Sequence, residues 1–341
     1  MNCLLCRSGN VRTLGARSRF RPIAPYQDFL DVPVARFDRE IARCGDCGFQ
    51  FVHPMYDGED LGHLYGGAGY RRFMGIIHPT LTNAQLDKWT AEFVDLGVKD
   101  LAAQGGPRPR FLDIGCGMGR NMIVFGRLGF DVHGLDMNLE ETDYVRNVLG
   151  FTVHNEELET FARRGDTFDC VLASHFIEHV PDPHRFFDAV LPLVRPGGAL
   201  LVETPLVSDF SGAHAERYKD IYHTLFWDHF TLALAGHLHG ARAVKMRNVL
   251  YFATDGSFNL NVQVRYAPGG RASGDLPREA ARGAYDALLD EAVAWARSHE
   301  GNASSPVARS VLRSQHALER FARRAGRIPL RLRRMLRGSE G

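Results

Sequence analysis

Three sets of residues have the types and spacing to do chemistry. The first is Asp113-Ile114-Gly115-Cys116-Gly117-Met118-Gly119, an acid followed by three alternating glycines. Glycines so placed let the backbone turn sharply and come close to a ligand, and a helix starting there leaves N–H groups free to bind it. The second is Cys3, Cys6, Cys44 and Cys47, two Cys-x2-Cys pairs. Four thiolates make a closed tetrahedral Zn²⁺ site of the structural kind, with no position left for water. In a reducing compartment such pairs point to a metal before they point to disulfides. The third is Tyr218–His229, YKDIYHTLFWDH, which carries Tyr222, His223, Asp228 and His229, with Glu203 and His214 upstream. An imidazole that titrates near neutrality suits removal of a proton from a hydroxyl or a carbon acid. His223 is the first candidate base, with Tyr222 beside it, and His229 the second.

The elements that must hold these residues read as follows. Phe111–Ile114 is a buried strand that runs through the glycine turn into a helix, Asn121–Leu128. A dinucleotide fingerprint would need a third glycine at position 120, where this chain has Arg120. A second strand, Phe130–Leu135, ends at Asp136, 17 residues beyond Gly119, where an acid can hydrogen-bond ribose hydroxyls. A helix over Glu140–Leu149 is stopped by Gly150. The third strand is Phe151–Val153, the fourth Phe168–Ala173 and the fifth Ala199–Val202. Ser257–Tyr266 alternates apolar and polar residues, the pattern of a half-buried antiparallel strand, and Asp255-Gly256 can close a hairpin back to Val244–Phe252. Upstream, Leu81–Leu101 reads as one helix with Leu86, Trp89, Phe93 and Leu96 on its apolar side.

The acid–glycine stretch resembles motif I of the class I S-adenosylmethionine-dependent methyltransferases, and FDCVLASHFIEHVPDP and LVRPGGALLVETP are similar to that family's later motifs. The likeness covers about 100 residues. It implies an α/β, Rossmann-like core of seven strands with a reversed final strand, and S-adenosylmethionine as cofactor. It places Asp113 near the amino acid moiety, with Gly115, Cys116, Gly117 and Gly119 passing beneath. Asp136 falls at the ribose with Met137 beside it, Asn155 or Glu156 at the adenine amino group, and Ser174 completes the contacts. Glu178-His179 recurs across relatives with unrelated substrates and reads as mainly architectural. A four-cysteine domain ahead of such a core resembles the sugar and natural-product methyltransferases, among them C-methyltransferases of nucleotide-linked deoxysugars. In those a Tyr-x-Glu-His segment carries the base. Tyr222-His223 and Asp228-His229 match it only in part, which leaves C- and O-methylation both open.

The chain divides on this reading into a zinc ribbon (1–60), a connector and helix (61–107), the methyltransferase core (108–268) and a helical, arginine-rich extension (269–341). Within the last, Val307–Arg337 holds ten arginines and a single acid, Glu319. That tail either packs on its own domain or meets a polyanion or a membrane surface. MNCLLCRSGN lacks the apolar region of a signal peptide and no apolar run spans a bilayer, so a cytoplasmic location is expected. The expected acceptor is a sugar, free or nucleotide-linked, or a sugar-bearing natural product, with Tyr56, Tyr65 and Tyr70 packing on its ring. An RNA-modifying methyltransferase that binds through the zinc ribbon and the tail is the alternative. A formal net charge of +1, from 41 Lys and Arg against 40 Asp and Glu, weighs against it.

Overall fold

A computed structural model describes residues 1–20, 23–65, 69–70, 82–104, 106, 108–206, 221–252 and 258–269. The arginine-rich extension from 270 onward, the Asp255-Gly256 turn and His214 lie outside the described residues.

Two sheets organise the chain. The larger has seven strands: β4 (Arg110–Ile114), β5 (Asp131–Leu135), β6 (Thr152–His154), β7 (Phe168–Ser174), β8 (Val194–Pro205), β10 (Ala241–Phe252) and β11 (Phe258–Pro268). Their order is β10-β11-β8-β7-β4-β5-β6. Pairing is parallel from β6 through β8, and β11 runs antiparallel to both β8 and β10. This is the Rossmann-like methyltransferase sheet, with its reversed strand, that the motifs imply. The chain works outward from β4 to β6 and then returns to β7 on β4's other side. The C-terminal ends of β4 and β7 therefore flank the switch point where such sheets bind ligands.

Both faces of the sheet are covered. Alternate strand residues enter two cores: Leu112, Ile114, Val171 and Ala173 on one side, Phe111, Cys170, Leu172 and Leu201 on the other. On the second side the Phe111 and Phe125 rings stack with centroids 3.6 Å apart. That side also carries the expected apolar face of Leu86, Trp89, Phe93 and Leu96. Their helix is not continuous, however. It breaks into Asn83–Asp95 and Val98–Gln104 around Gly97 at φ 82°. Arg265 on β11 packs into the break: its Nη1 donates to the carbonyls of Leu96 and Gly97, at 3.1 and 3.3 Å, and a Cβ on Gly97 would lie 2.4 Å from it.

The smaller sheet is antiparallel, in the order β1 (Val11–Ala16), β2 (Glu40–Cys44), β3 (Gln50–His53) and β9 (Leu225–Phe226). Its fourth strand comes from the segment beyond β8, so the N-terminal unit is completed by residues more than 170 positions away. Cys3, Cys44, Phe49 and Phe51 share one apolar core with Leu112, Val171 and Trp227 of the large-sheet side, and Phe49 lies 4.6 Å from the Trp227 ring.

Candidate functional site

The glycine turn at the end of β4 is held from β5. Gly115 and Cys116 N–H groups donate to the Leu135 carbonyl at 2.8 and 3.2 Å, and the Gly117 N–H donates to Asp136 Oδ2 at 2.9 Å. Gly115, Gly117 and Gly119 all have positive φ, at 69°, 48° and 77°. A Cβ would strike the Phe176 ring from Gly115 and Leu149 from Gly119, so only glycine fits this path. The helix Arg120–Arg127 opens directly behind.

Three acids surround the turn. Asp113 is 1% exposed, and neither of its oxygens accepts a well-formed hydrogen bond among the described residues. Burial pushes its carboxyl up to about 8, against the pull of nearby Arg120. Burial likewise raises Asp136, whose oxygens accept from the Asn138 and Gly117 N–H groups. Glu141 stands 3.5 Å from where a Gly117 Cβ would sit and is pushed up to about 7 by burial and by Asp136. A buried carboxylate whose charge is opposed by its burial, beside a cradle only bare backbone can line, suits a ligand that brings its own positive charge. An α-ammonium and a sulfonium are such groups, and Asp136 keeps a lone pair on each oxygen for hydroxyls.

The remaining expected contacts are dispersed around this turn. Met137 projects from it at 66% exposure. Asn155 is exposed and donates its amide N–H to the Asp136 carbonyl at 2.9 Å, next to the turn's acid. Glu156 is instead paired with Arg164 at 2.5 Å. Ser174 ends β7 with its hydroxyl 3.4 Å from Glu203.

Across the switch point, after β7, lies a second polar cluster. His175 adopts φ 52° and stands between two buried carboxylates, with Nδ1 3.3 Å from Glu178 and Nε2 3.7 Å from Glu203. Glu203 is also bonded by Asn261 and Gln263 of β11, at 3.1 and 3.0 Å. Burial works to raise Glu178, but His175, His179 and His223 around it win and hold its carboxyl at about 2. The ligand atoms of Glu178, His179 and His223 lie within 4.8 Å of one another. Tyr65 closes the cluster, its hydroxyl 3.0 Å from His179 Nδ1 and donating to the Tyr222 carbonyl at 3.1 Å. Glu178 also has an architectural part, since its carbonyl fastens the next segment by accepting from the Thr224 and Leu225 N–H groups.

Of the three residues expected to carry the base, only His223 presents its side chain here, its ring 5.0 Å from that of His179. Tyr222 is 1% exposed and supplies its carbonyl rather than its hydroxyl to His179. His229 lies apart from this cluster. It is 4% exposed at the start of the helix His229–Leu238, with Nε2 2.6 Å from Asn248 Oδ1, and burial lowers its pKa. The Asp228–Thr231 capping box fixes that helix start and turns the ring toward β10. Tyr56 is 4% exposed and donates its hydroxyl to the Phe37 carbonyl. Tyr65 and Tyr70 do meet, 5.1 Å apart, both against Tyr222. His175 escaped the sequence reading, although its spacing of three and four residues ahead of Glu178 and His179, right after a buried strand, was the available signal.

The four cysteines converge. Cys3 and Cys47 sulfurs are 3.7 Å apart and those of Cys6 and Cys44 3.5 Å, with the N–H groups of Leu5, Cys6, Asp46 and Cys47 directed at Cys3 and Cys44 sulfurs. Sulfurs at the corners of a zinc tetrahedron, about 2.3 Å from the metal, lie about 3.8 Å apart. The donor set and its spacing therefore fit Zn²⁺.

Residues 86–245 match the family model described as "Methyltransferase domain". This segment carries a methyltransferase domain. Among curated relatives, the ubiquinone biosynthesis O-methyltransferase of Paraburkholderia phymatum is 40% identical over 101 residues, 28% of this chain and 44% of that protein. The one from Cereibacter sphaeroides (strain ATCC 17025) is 35% identical over 129 residues, 35% of this chain and 51% of that protein. The chain spans about half the length of the curated relatives it matches. Among solved structures, magnesium protoporphyrin IX methyltransferase from Synechocystis PCC 6803 with bound SAH aligns with a TM-score of 0.43 at 16% identity, over 61% of this chain and 99% of that one.

Proposed function

We propose that the protein transfers a methyl group from S-adenosylmethionine to a hydroxyl oxygen of a small acceptor held at the Glu178–His179–His223 cluster, with a structural Zn²⁺ on Cys3, Cys6, Cys44 and Cys47. The observation that carries this reading is the placement of two unlike sites side by side at the switch point. One is an acidic turn suited to a cationic donor; the other is an imidazole-rich cluster suited to a hydroxyl. The donor brings the leaving group and the charge. Asp113 and Asp136 orient it, Phe176 packs on the turn beside it, and the cluster orients the acceptor's hydroxyl. Holding both partners in line contributes roughly 7–11 kcal/mol to such a displacement.

Oxygen is favoured over carbon because the relatives that match are named O-methyltransferases. Their name points to an oxygen acceptor in ubiquinone biosynthesis, whereas the cysteine domain and Tyr65 and Tyr70 point to a sugar or natural-product hydroxyl. The RNA reading rests on the arginine-rich tail, which lies outside the described residues. The test is to offer the full chain labelled S-adenosylmethionine with a panel of phenols and nucleotide-linked sugars, and to follow label transfer by mass spectrometry. Methyl ethers on either class support the reading. Binding of S-adenosylhomocysteine without transfer to any hydroxyl, but with transfer to a carbon acid, rejects O-methylation.

A further inference from the structure

The rings around Glu178 are oriented by their neighbours. His179 Nδ1 lies 3.0 Å from both the Tyr222 carbonyl and the Tyr65 hydroxyl, which turns Nε2 toward Glu178 Oε1 at 3.9 Å. On the other side, Asn261 donates its amide N–H to Glu203 at 3.1 Å, which orients the amide so that it also donates to His175 Nε2 at 2.9 Å. His175 therefore offers its Nδ1 hydrogen to Glu178 Oε1 at 3.3 Å. That gathers a carboxylate of a residue 2% exposed, the Nε2 edge of His179 and the His223 imidazole with their ligand atoms within 4.8 Å of one another. Carboxylate and imidazole groups gathered this closely are a donor set that a cation can join.

We propose that Glu178, His179 and His223 bind a divalent transition-metal cation, distinct from the four-cysteine site, that receives the acceptor's hydroxyl oxygen. Two imidazoles and one carboxylate form a mixed nitrogen and oxygen set that suits first-row cations such as Zn²⁺, Fe²⁺ or Co²⁺ and leaves coordination positions open. Donors about 2.1 Å from one metal lie about 3–3.5 Å apart, so the three side chains close by about an ångström on binding. The surrounding structure positions each of them. Thr204 donates to Glu178 Oε2 at 2.9 Å, the Tyr222 carbonyl orients His179, and Arg17 donates to the His223 carbonyl at 2.8 Å. Outer contacts of this kind fix the direction of metal ligands. This inference rests on the methyl-transfer reading only for what the cation does. A bound hydroxyl gives its proton to water, its oxygen pair forms the new C–O bond, and the C–S bond breaks with its electrons on sulfur.

The test uses the full chain with its cysteine site saturated with Zn²⁺, dialysed against Co²⁺. The expected result is one cobalt per chain in addition to one zinc, with a visible spectrum free of thiolate charge transfer. His179→Ala and His223→Ala should each weaken cobalt uptake at least tenfold while circular dichroism and S-adenosylhomocysteine affinity stay as in the wild type; Glu178→Gln adds a third arm if it folds. No cobalt beyond the zinc equivalent overturns the proposal. So does thiolate charge transfer in the cobalt spectrum, or uptake unchanged in both histidine variants. Cobalt bound as described by a protein that fails to bind S-adenosylhomocysteine would uphold the cation site and sink the methyltransferase reading instead.

Discussion

Asp113 is the residue at which stability and binding oppose each other. A carboxyl raised from 3.8 to about 8 holds its proton more tightly folded than unfolded. The unliganded protein therefore loses stability as pH climbs from about 4 toward 8, and a cationic ligand relieves the loss. Asp113→Asn should stabilise the unliganded chain at pH 7.5 by about 1–3 kcal/mol, and weaken S-adenosylhomocysteine at least tenfold. Thermal melts and calorimetry on the same samples check this, and no change in either would remove Asp113 from the ligand. The two histidines of the 222–229 stretch separate in the same way. His223→Ala should lower turnover by roughly 10²-fold or more with an unchanged melt, whereas His229→Ala should cost about 2 kcal/mol or more of stability with turnover of the folded fraction retained. A reversal of that pattern would restore His229 as the base. In the sequence the two look alike, because an imidazole's identity says nothing about whether its ring meets a cleft or an asparagine on a neighbouring strand. The glycine turn was legible because its residues act through the local backbone.

The element scale shows the same division between local and distant causes. The apolar stripe of Leu86, Trp89, Phe93 and Leu96 was readable and is buried as read. The break at Gly97 was not, since the Arg265 that packs into it lies 168 residues on. Gly97→Ala should cost about 1–3 kcal/mol in denaturant unfolding, from the positive φ and the displaced guanidinium. Arg265→Ala in the same background should make the two losses less than additive. Full additivity would mean that Arg265 does not shape the turn. The strand β9 was equally hidden: two residues, Leu225 and Phe226, carry no pattern of their own and are a strand only because β3 offers them an edge.

At the scale of the whole molecule, the cysteine knuckles, the small sheet and the acceptor cluster are links in one chain of contacts. Cys44 ends β2, β3 pairs with β9, and Thr224 and Leu225 bond the Glu178 carbonyl. Zinc ligation contributes folding energy to small domains of this kind. Cys44→Ser should therefore abolish methyl transfer while S-adenosylhomocysteine affinity, which depends on β4 and β5, stays within about threefold. Loss of both together would show that the core cannot stand without the metal; loss of neither would detach the metal from the active edge. Among the described residues no helix is long and apolar enough to cross a membrane. The borrowed strand also limits how this protein can be recombined. A segment that takes its last strand from residues 225 and 226 is not a cassette. A graft of residues 1–60 onto another methyltransferase would arrive with an open edge on β3, and exposed edges of that kind recruit whatever strand comes near. The graft becomes portable only if the host already supplies, after its own fifth strand, a short extended stretch able to stand in for Leu225 and Phe226.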